Sequence, residues 1–244
     1  MSAAVSKKKK RKAYVGNYCS YYGYRNKHGT NDCRVQLLKE EWICDKEVLD
    51  IGCNVGLFTI EIANKYKPKM ITAIDMDSQL IRKARSHLRR QWSPSSSSNV
   101  FFTTGDIMSL YNDKTISTLS TKFDTILAMS ITKWIHLNHG DDGILNFFRK
   151  CWNILKPYGI FIIEPQSWES YKRRKLLSSV IRKNYSNIKI LPDQFPMILT
   201  DNIGFKLIAS LEPTTQSETS KRGFNRFLFV FCKTTNDDNH DIIT

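Results

Sequence analysis

The sequence predicts an α/β fold: a seven-stranded, mostly parallel sheet with an antiparallel strand at one edge. Three observations predict it. Val48 to Ile51 reads as a short buried strand, Gly52 and Gly56 open a tight turn, and Leu57 to Tyr66 has helical spacing. Strand, glycine turn and helix make the first unit of a Rossmann-like, nucleotide-binding sheet. Apolar strand runs then alternate with helical patterns as far as Ile163, as a doubly wound sheet requires. Two further strand-like runs, Phe205 to Leu211 and Phe227 to Cys232, close the chain with only the polar stretch Glu212 to Asn225 between them. A short link of that kind suits an antiparallel pair.

Taken in order, residues 1 to about 12 lack a hydrophobic pattern and read as a disordered arm. Tyr14 to Asn26 holds five tyrosines within 11 positions, mixed with glycine. Neither a regular helix nor a strand fits it; a loop lining a pocket and a loop packed over the core both remain open. Arg34 to Trp42 leads into the first strand as a helix or turn. Met70 to Asp75 is the second strand and Ser78 to Gln91 the second helix. The serine-rich Ser93 to Asn99 is a surface loop. Val100 to Thr104 makes the third strand, Asn112-Asp113 a turn, and Phe123 to Met129 a fourth strand buried on both sides. A helix from Asp141 to Leu155 and a turn, Lys156-Pro157-Tyr158-Gly159, precede a fifth strand over Gly159 to Ile163. The last residues are expected to fray. The domain organisation is therefore a basic tail (1–12), one folded domain (13–234) and a C-terminal tail (235–244).

The 244 residues suffice for a sizeable core without disulfides. The six cysteines include no C-x-x-C pair, which argues against a zinc site and for a reducing compartment. No apolar run has the length of a membrane span, and the N-terminus lacks the apolar core of a signal peptide. The net charge is +14, from 37 Lys and Arg against 23 Asp and Glu. Removing the six charges of the basic run Lys7 to Lys12 leaves about +8, so the folded part stays basic. Such an excess implies a polyanionic partner, most simply nucleic acid.

The glycine turn is where chemistry is expected. A ligand can approach backbone that carries no Cβ, and the helix behind it offers free N–H groups. The Gly-x-x-x-Gly spacing after Asp50 is not the dinucleotide fingerprint. It resembles motif I of S-adenosylmethionine-dependent methyltransferases. Asp75, ending the second strand, is placed to accept hydrogen bonds from ribose hydroxyls. Asp106, just past the third strand, is placed to meet an adenine amino group. The segment Ser130 to Asp141 follows the fourth strand and reads as a loop at the carboxyl edge, bringing Lys133, Trp134, His136 and His139 there. His136 and His139 have no third ligand in view, so no metal is expected. Glu164 to Lys175 interleaves basic residues with Trp168 and Tyr171, a composition suited to phosphate contact and base stacking.

Four signatures together carry a family resemblance: Tyr22-Gly23-Tyr24-Arg25-Asn26, Asp50-Ile51-Gly52-Cys53-Asn54-Val55-Gly56, Thr132-Lys133-Trp134-Ile135-His136-Leu137-Asn138 and Glu164-Pro165-Gln166-x-Trp168. The sequence resembles the methylphosphate capping enzymes over about residues 14 to 233. Two departures are a lysine, Lys27, where the pattern has proline, and short loops before the third strand and after Asp106. The resemblance implies a class I methyltransferase fold and S-adenosylmethionine as cofactor. It implies methylation of the 5′-terminal γ-phosphate of a small nuclear RNA such as 7SK. By the same resemblance Tyr22 and Arg34 help enclose the cofactor, and Gly52, Cys53 and Asn54 meet its methionine part. Asp75 and Met76 meet ribose and adenine; Asp106, Ile107 and Met129 complete the adenine and sulfonium surroundings. Tyr21, Arg25, Lys133 and His136 fall where the 5′ phosphates are handled. A nuclear, monomeric protein with an RNA partner and no membrane association is expected. The alternatives are methylation of a 5′ monophosphate on small RNA or transfer RNA, and a non-catalytic RNA-binding subunit.

Overall fold

A computed structural model describes residues 15–16, 32–91, 99–109, 123–212 and 226–234. The basic run Lys7 to Lys12, Tyr14, Asn17 to Asn26 with Tyr21, Tyr22 and Arg25, the serine loop, the Asn112-Asp113 turn, most of the 212–225 link and the C-terminal tail lie outside the described residues.

A short helix, α1 (Cys33–Leu37), is capped by Asp32, whose side chain accepts from the Arg34 amide. A single 3-10 turn over Glu40–Trp42 then delivers the chain to β1 (Glu47–Ile51). Helix α2 (Leu57–Tyr66) starts at Gly56, and β2 (Met70–Asp75), α3 (Ser78–Gln91) and β3 (Val100–Thr104) follow. Then come β4 (Phe123–Met129), α4 (Thr132–Ile154), β5 (Leu155–Glu164), α5 (Trp168–Lys172) and α6 (Ser179–Asn187). A last short helix, α7 (Phe195–Ile198), precedes β6 (Phe205–Leu211) and β7 (Leu228–Lys233).

The seven strands form one sheet in the order β3-β2-β1-β4-β5-β7-β6. The first five pair in parallel. The antiparallel strand is β7, which runs between β5 and the edge strand β6 and pairs antiparallel with both. Alternate residues of the central strands bury into two separate cores. Val48, Ile71 and Ile162 pack with α1, α2 and α3, while Leu49, Ile126, Phe161 and Ile163 pack with α4 and α7. Burial on both faces explains the near-continuous apolar runs of these strands.

Two boundaries differ from the sequence expectation. The fifth strand begins at Leu155 rather than Gly159. Phe123 pairs with Leu155 and Thr125 with Ile160, so the Lys156–Gly159 turn exists but bulges out of a continuous strand. The segment after β4 is helical from Thr132 and joins the expected helix across a kink at Gly140 (φ 69°, ψ −168°). Asn-His-Gly reads as a turn because glycine there does leave the helical region; the chain resumes the helix immediately afterwards.

Candidate active site

The sheet order reverses between β1 and β4, and ligands bind in open α/β sheets at the carboxyl ends of such a junction. Two adjoining clefts lie there, with volumes of about 550 and 580 Å³. They share Val15, Gly52, Asp75, Ile131 and Trp134.

The glycine turn forms their common floor. The amides of Gly52 and Cys53 both donate to the Ile74 carbonyl, at 2.8 and 3.0 Å, which fastens the turn to β2. Gly52 has φ 78°, and a Cβ there would run into the Ile131 side chain. Asn54 also lies in the left-handed region (φ 54°), which asparagine tolerates because its side chain bonds locally. Here Asn54 Oδ1 accepts from the Val55 amide at 2.8 Å.

The first cleft is lined by Arg34, Asp50, Cys53, Asn54, Phe58, Met129 and Ser130 besides the shared residues. Asp50 is buried, accepts from Thr59 Oγ1 at 2.6 Å, and its carboxyl is raised to about 6 by burial. Burial likewise holds the Cys53 thiol well above its ordinary range, so it lines the cleft as a neutral group. The second cleft adds Met76, Asp106, Ile107, Ile135, Asn138 and His139. Asp75 borders both. Its carboxyl accepts from the Asn54 amide at 3.0 Å and the Asp77 amide at 2.9 Å, and burial raises its pKa against those bonds. Asp106 accepts from the Met108 amide at 2.9 Å. Behind it Lys150 Nζ donates to the Ile107 and Met108 carbonyls.

Of the residues expected to hold a cofactor, Arg34, Gly52, Cys53, Asn54, Asp75, Met76, Asp106, Ile107 and Met129 all line these clefts. Tyr22 lies outside the described residues, as do Tyr21 and Arg25. Gly16 is described, and a Cβ on it would strike the Trp134 ring. Val15 and Gly16 therefore lie against the wall the two clefts share.

The expected phosphate-handling pair of α4 is placed differently. Lys133 is 8% exposed; its Nζ lies 3.1 Å from Ser170 Oγ and over the Trp134 ring at 4.6 Å. It sits behind Trp134 rather than among the lining residues. His136 is fully buried and borders neither cleft. A residue four positions on from Thr132 lies on its face of the helix, and that face turns inward. His136 Nε2 lies 2.8 Å from Asp141 Oδ1, and its ring packs edge-on to Tyr171 and beside Phe195. Burial lowers its pKa against the opposing pull of Asp141. The sequence predicts a loop over residues 130–141; the helical backbone instead turns His136 inward.

A buried polar network behind the first cleft went unnoticed in the sequence. Arg34, 1% exposed, donates to Asp32 through Nε (2.9 Å) and Nη2 (2.6 Å), and to Glu164 through Nη1 (2.9 Å). Ser130 Oγ donates to Glu164 and accepts from Arg226 Nη1 at 2.8 Å. Gln166 Nε2 donates to the Ser130 carbonyl, while its Oε1 accepts from Thr132 Oγ1 (3.1 Å) and the Lys133 amide (3.0 Å). Gln166 thereby serves two first-turn donors of α4, which has no side-chain cap of its own. The Glu-Pro-Gln signature was visible; its partners on β4 and β7 were not. Among the described residues, no group of three or more His, Cys, Asp or Glu could hold a metal ion, and no helix is long and apolar enough to cross a membrane.

Residues 48–159 match a methyltransferase domain and residues 123–233 match the Bicoid-interacting protein 3 family. The U6 snRNA methylphosphate capping enzyme Amus of Drosophila melanogaster is 40% identical over 227 residues, covering 89% of this chain and 74% of that protein. The chain belongs to the methylphosphate capping, or Bicoid-interacting protein 3, family. The human member named 7SK snRNA methylphosphate capping enzyme is 34% identical over 288 residues; the match covers 96% of this chain and 41% of that protein's length. Among solved structures, phosphoethanolamine N-methyltransferase 2 of Haemonchus contortus has the same fold (TM-score 0.59, 14% identity, covering 92% of this chain and 59% of that one). As a capping-family member the chain is a class I methyltransferase, and S-adenosylmethionine is its cofactor. The clefts fit that molecule. Acceptor carboxylates, Asp75 and Asp106, stand at the end suited to ribose and adenine, beside apolar Ile107 and Ile135. Bare glycine backbone, Asp50 and Arg34 stand at the end suited to a zwitterionic amino acid.

Proposed function

We propose that this chain transfers a methyl group to the 5′-terminal γ-phosphate of a small nuclear RNA, forming a methylphosphate cap in the nucleus. The observation that carries the reading is the shared wall. Trp134 and Ile131 border both clefts, Gly16 packs on Trp134, and the Tyr21–Arg25 signature begins five residues further on in the sequence.

S-adenosylmethionine, when bound, supplies an electrophilic methyl group. Gly52, Cys53 and Asn54 would hold its methionine part with Arg34 behind them. Asp75 with Met76 would hold ribose and adenine, and Asp106, Ile107 and Met129 would complete the surface. Tyr22 would help enclose it. A phosphate oxygen is anionic at neutral pH, so the chain needs no strong general base. What it must do is hold that oxygen in line and neutralise the remaining phosphate charge; positioning of this kind lowers a barrier by roughly 7–11 kcal/mol at best. Arg25 suits bidentate phosphate contact, Lys133 supplies a point charge, and Tyr21 orients by hydrogen bonding. His136 keeps no part in this scheme.

On and between α5 and α6, Lys172, Arg173, Lys175, Arg182 and Lys183 are exposed, and Trp168 stacks on Tyr185 at 4.8 Å and 7°. Their side chains close a small core with Leu137, Tyr171 and Ile181. This cationic face suits the backbone of the RNA body. The test is methyl transfer to one RNA prepared with a 5′ triphosphate, monophosphate or hydroxyl. The triphosphate form should be the best acceptor and the hydroxyl form inert. Preference for the monophosphate would move the assignment to the alternative acceptor, and equal transfer to all three would end it.

A further inference from the structure

We propose that Arg226, which no sequence signature marks, is a phosphate-binding residue at the β4 wall of the acceptor site; this rests on the reading of the acceptor as a 5′-phosphorylated RNA. Arg226 stands two residues before β7, at the carboxyl end of the sheet. Its Nη1 donates to Ser130 Oγ at 2.8 Å and lies 3.6 Å from Glu164 Oε1. Ser130 lines the first cleft at the end of β4, where its left-handed backbone (φ 58°) turns the chain into α4. Glu164 is fully buried, and its Oε1 accepts no hydrogen bond among the described residues.

The two arginines on Glu164 are not equivalent. Arg34 is 1% exposed and commits Nε, Nη1 and Nη2 to Asp32 and Glu164. Arg226 keeps 20% of its side chain exposed and is tethered through one nitrogen. A guanidinium carries five N–H donors in a rigid plane, so tethering one nitrogen fixes the plane and leaves donors for a bidentate partner. A phosphate seated beside Ser130 matches that geometry.

The test compares binding of one RNA carrying a 5′ triphosphate or a 5′ hydroxyl, by fluorescence anisotropy, to wild type, Arg226→Gln and Arg226→Lys. Calorimetry with S-adenosylmethionine reports the integrity of each protein. Wild type should prefer the triphosphate, and Arg226→Gln should lose about tenfold of that preference, the size of one charge-assisted contact. Its affinity for hydroxyl RNA and for the cofactor should be unchanged. Arg226→Lys should keep part of the preference; if the Gln variant does not fold, this variant decides, and undiminished preference in it overturns the inference. Full preference in Arg226→Gln, or no preference in wild type, also overturns it. A wild type that prefers the triphosphate but transfers no methyl group would instead sink the proposed reaction and leave Arg226 in place.

Discussion

Burial of the Asp50 carboxyl beneath the first cleft raises its pKa to about 6, with the Thr59 hydroxyl and the Arg34 charge pulling the other way. A raised carboxyl carries no penalty below the ordinary carboxylate range; the cost of burying it builds from there up to about pH 6 and is fully present above, where the group is ionised. A cationic ligand brought to that cleft relieves the cost, so it binds the ionised form better. S-adenosylmethionine affinity should therefore fall as pH drops below about 6, by up to about tenfold per pH unit. Calorimetry between acidic and neutral pH checks this, and Asp50→Asn, which can still accept from Thr59, should flatten the profile. At this scale the cofactor residues were legible because their requirements are local: glycine where backbone is bare, a carboxylate where a strand ends. Ser130 and Arg226 were not, and of Glu164 and Gln166 only the signature was visible, not the contacts. They are functionally silent until their partners, 34 to 96 residues away in sequence, are folded against them.

The element that reorganises the site is the first part of α4, Thr132 to His139, ended by the kink at Gly140. As a helix it sends Trp134, Ile135, Asn138 and His139 to the clefts and His136 into the core. Period-3.6 spacing separates those faces; a loop reading offers no such separation. The prediction belongs to the helix. His136→Ala should destabilise the fold by about 2–4 kcal/mol, through lost packing and a buried bond to Asp141. Turnover measured below the melting transition should remain within a few-fold of wild type. Denaturant unfolding and steady-state rates separate the two effects, and a large loss of turnover with stability intact would return His136 to the chemistry. The β5 bulge shows the same limit of sequence reading. Lys-Pro-Tyr-Gly is turn-like locally, and only pairing with β4 reveals a continuous strand around it.

For the whole molecule, the succession of strands along the chain and the doubly wound class were legible because each parallel crossover needs a helix, and the helices were visible between the strands; the order of strands in the sheet was not predicted. The sequence's closing pair also emerged, although only the register shows that β7, and not β6, adjoins β5. The net charge of +14 pointed to a polyanion without saying which part of it is modified. The exposed cations on and between α5 and α6 are the proposed contact for the RNA body. Location of the transferred methyl group is thus the most direct measurement. Wild-type protein, radiolabelled S-adenosylmethionine and a 5′-triphosphate small nuclear RNA should yield label that survives nuclease digestion only on the 5′-terminal nucleotide, attached through its phosphate. Label recovered on a base or ribose of an internal nucleotide would contradict the account.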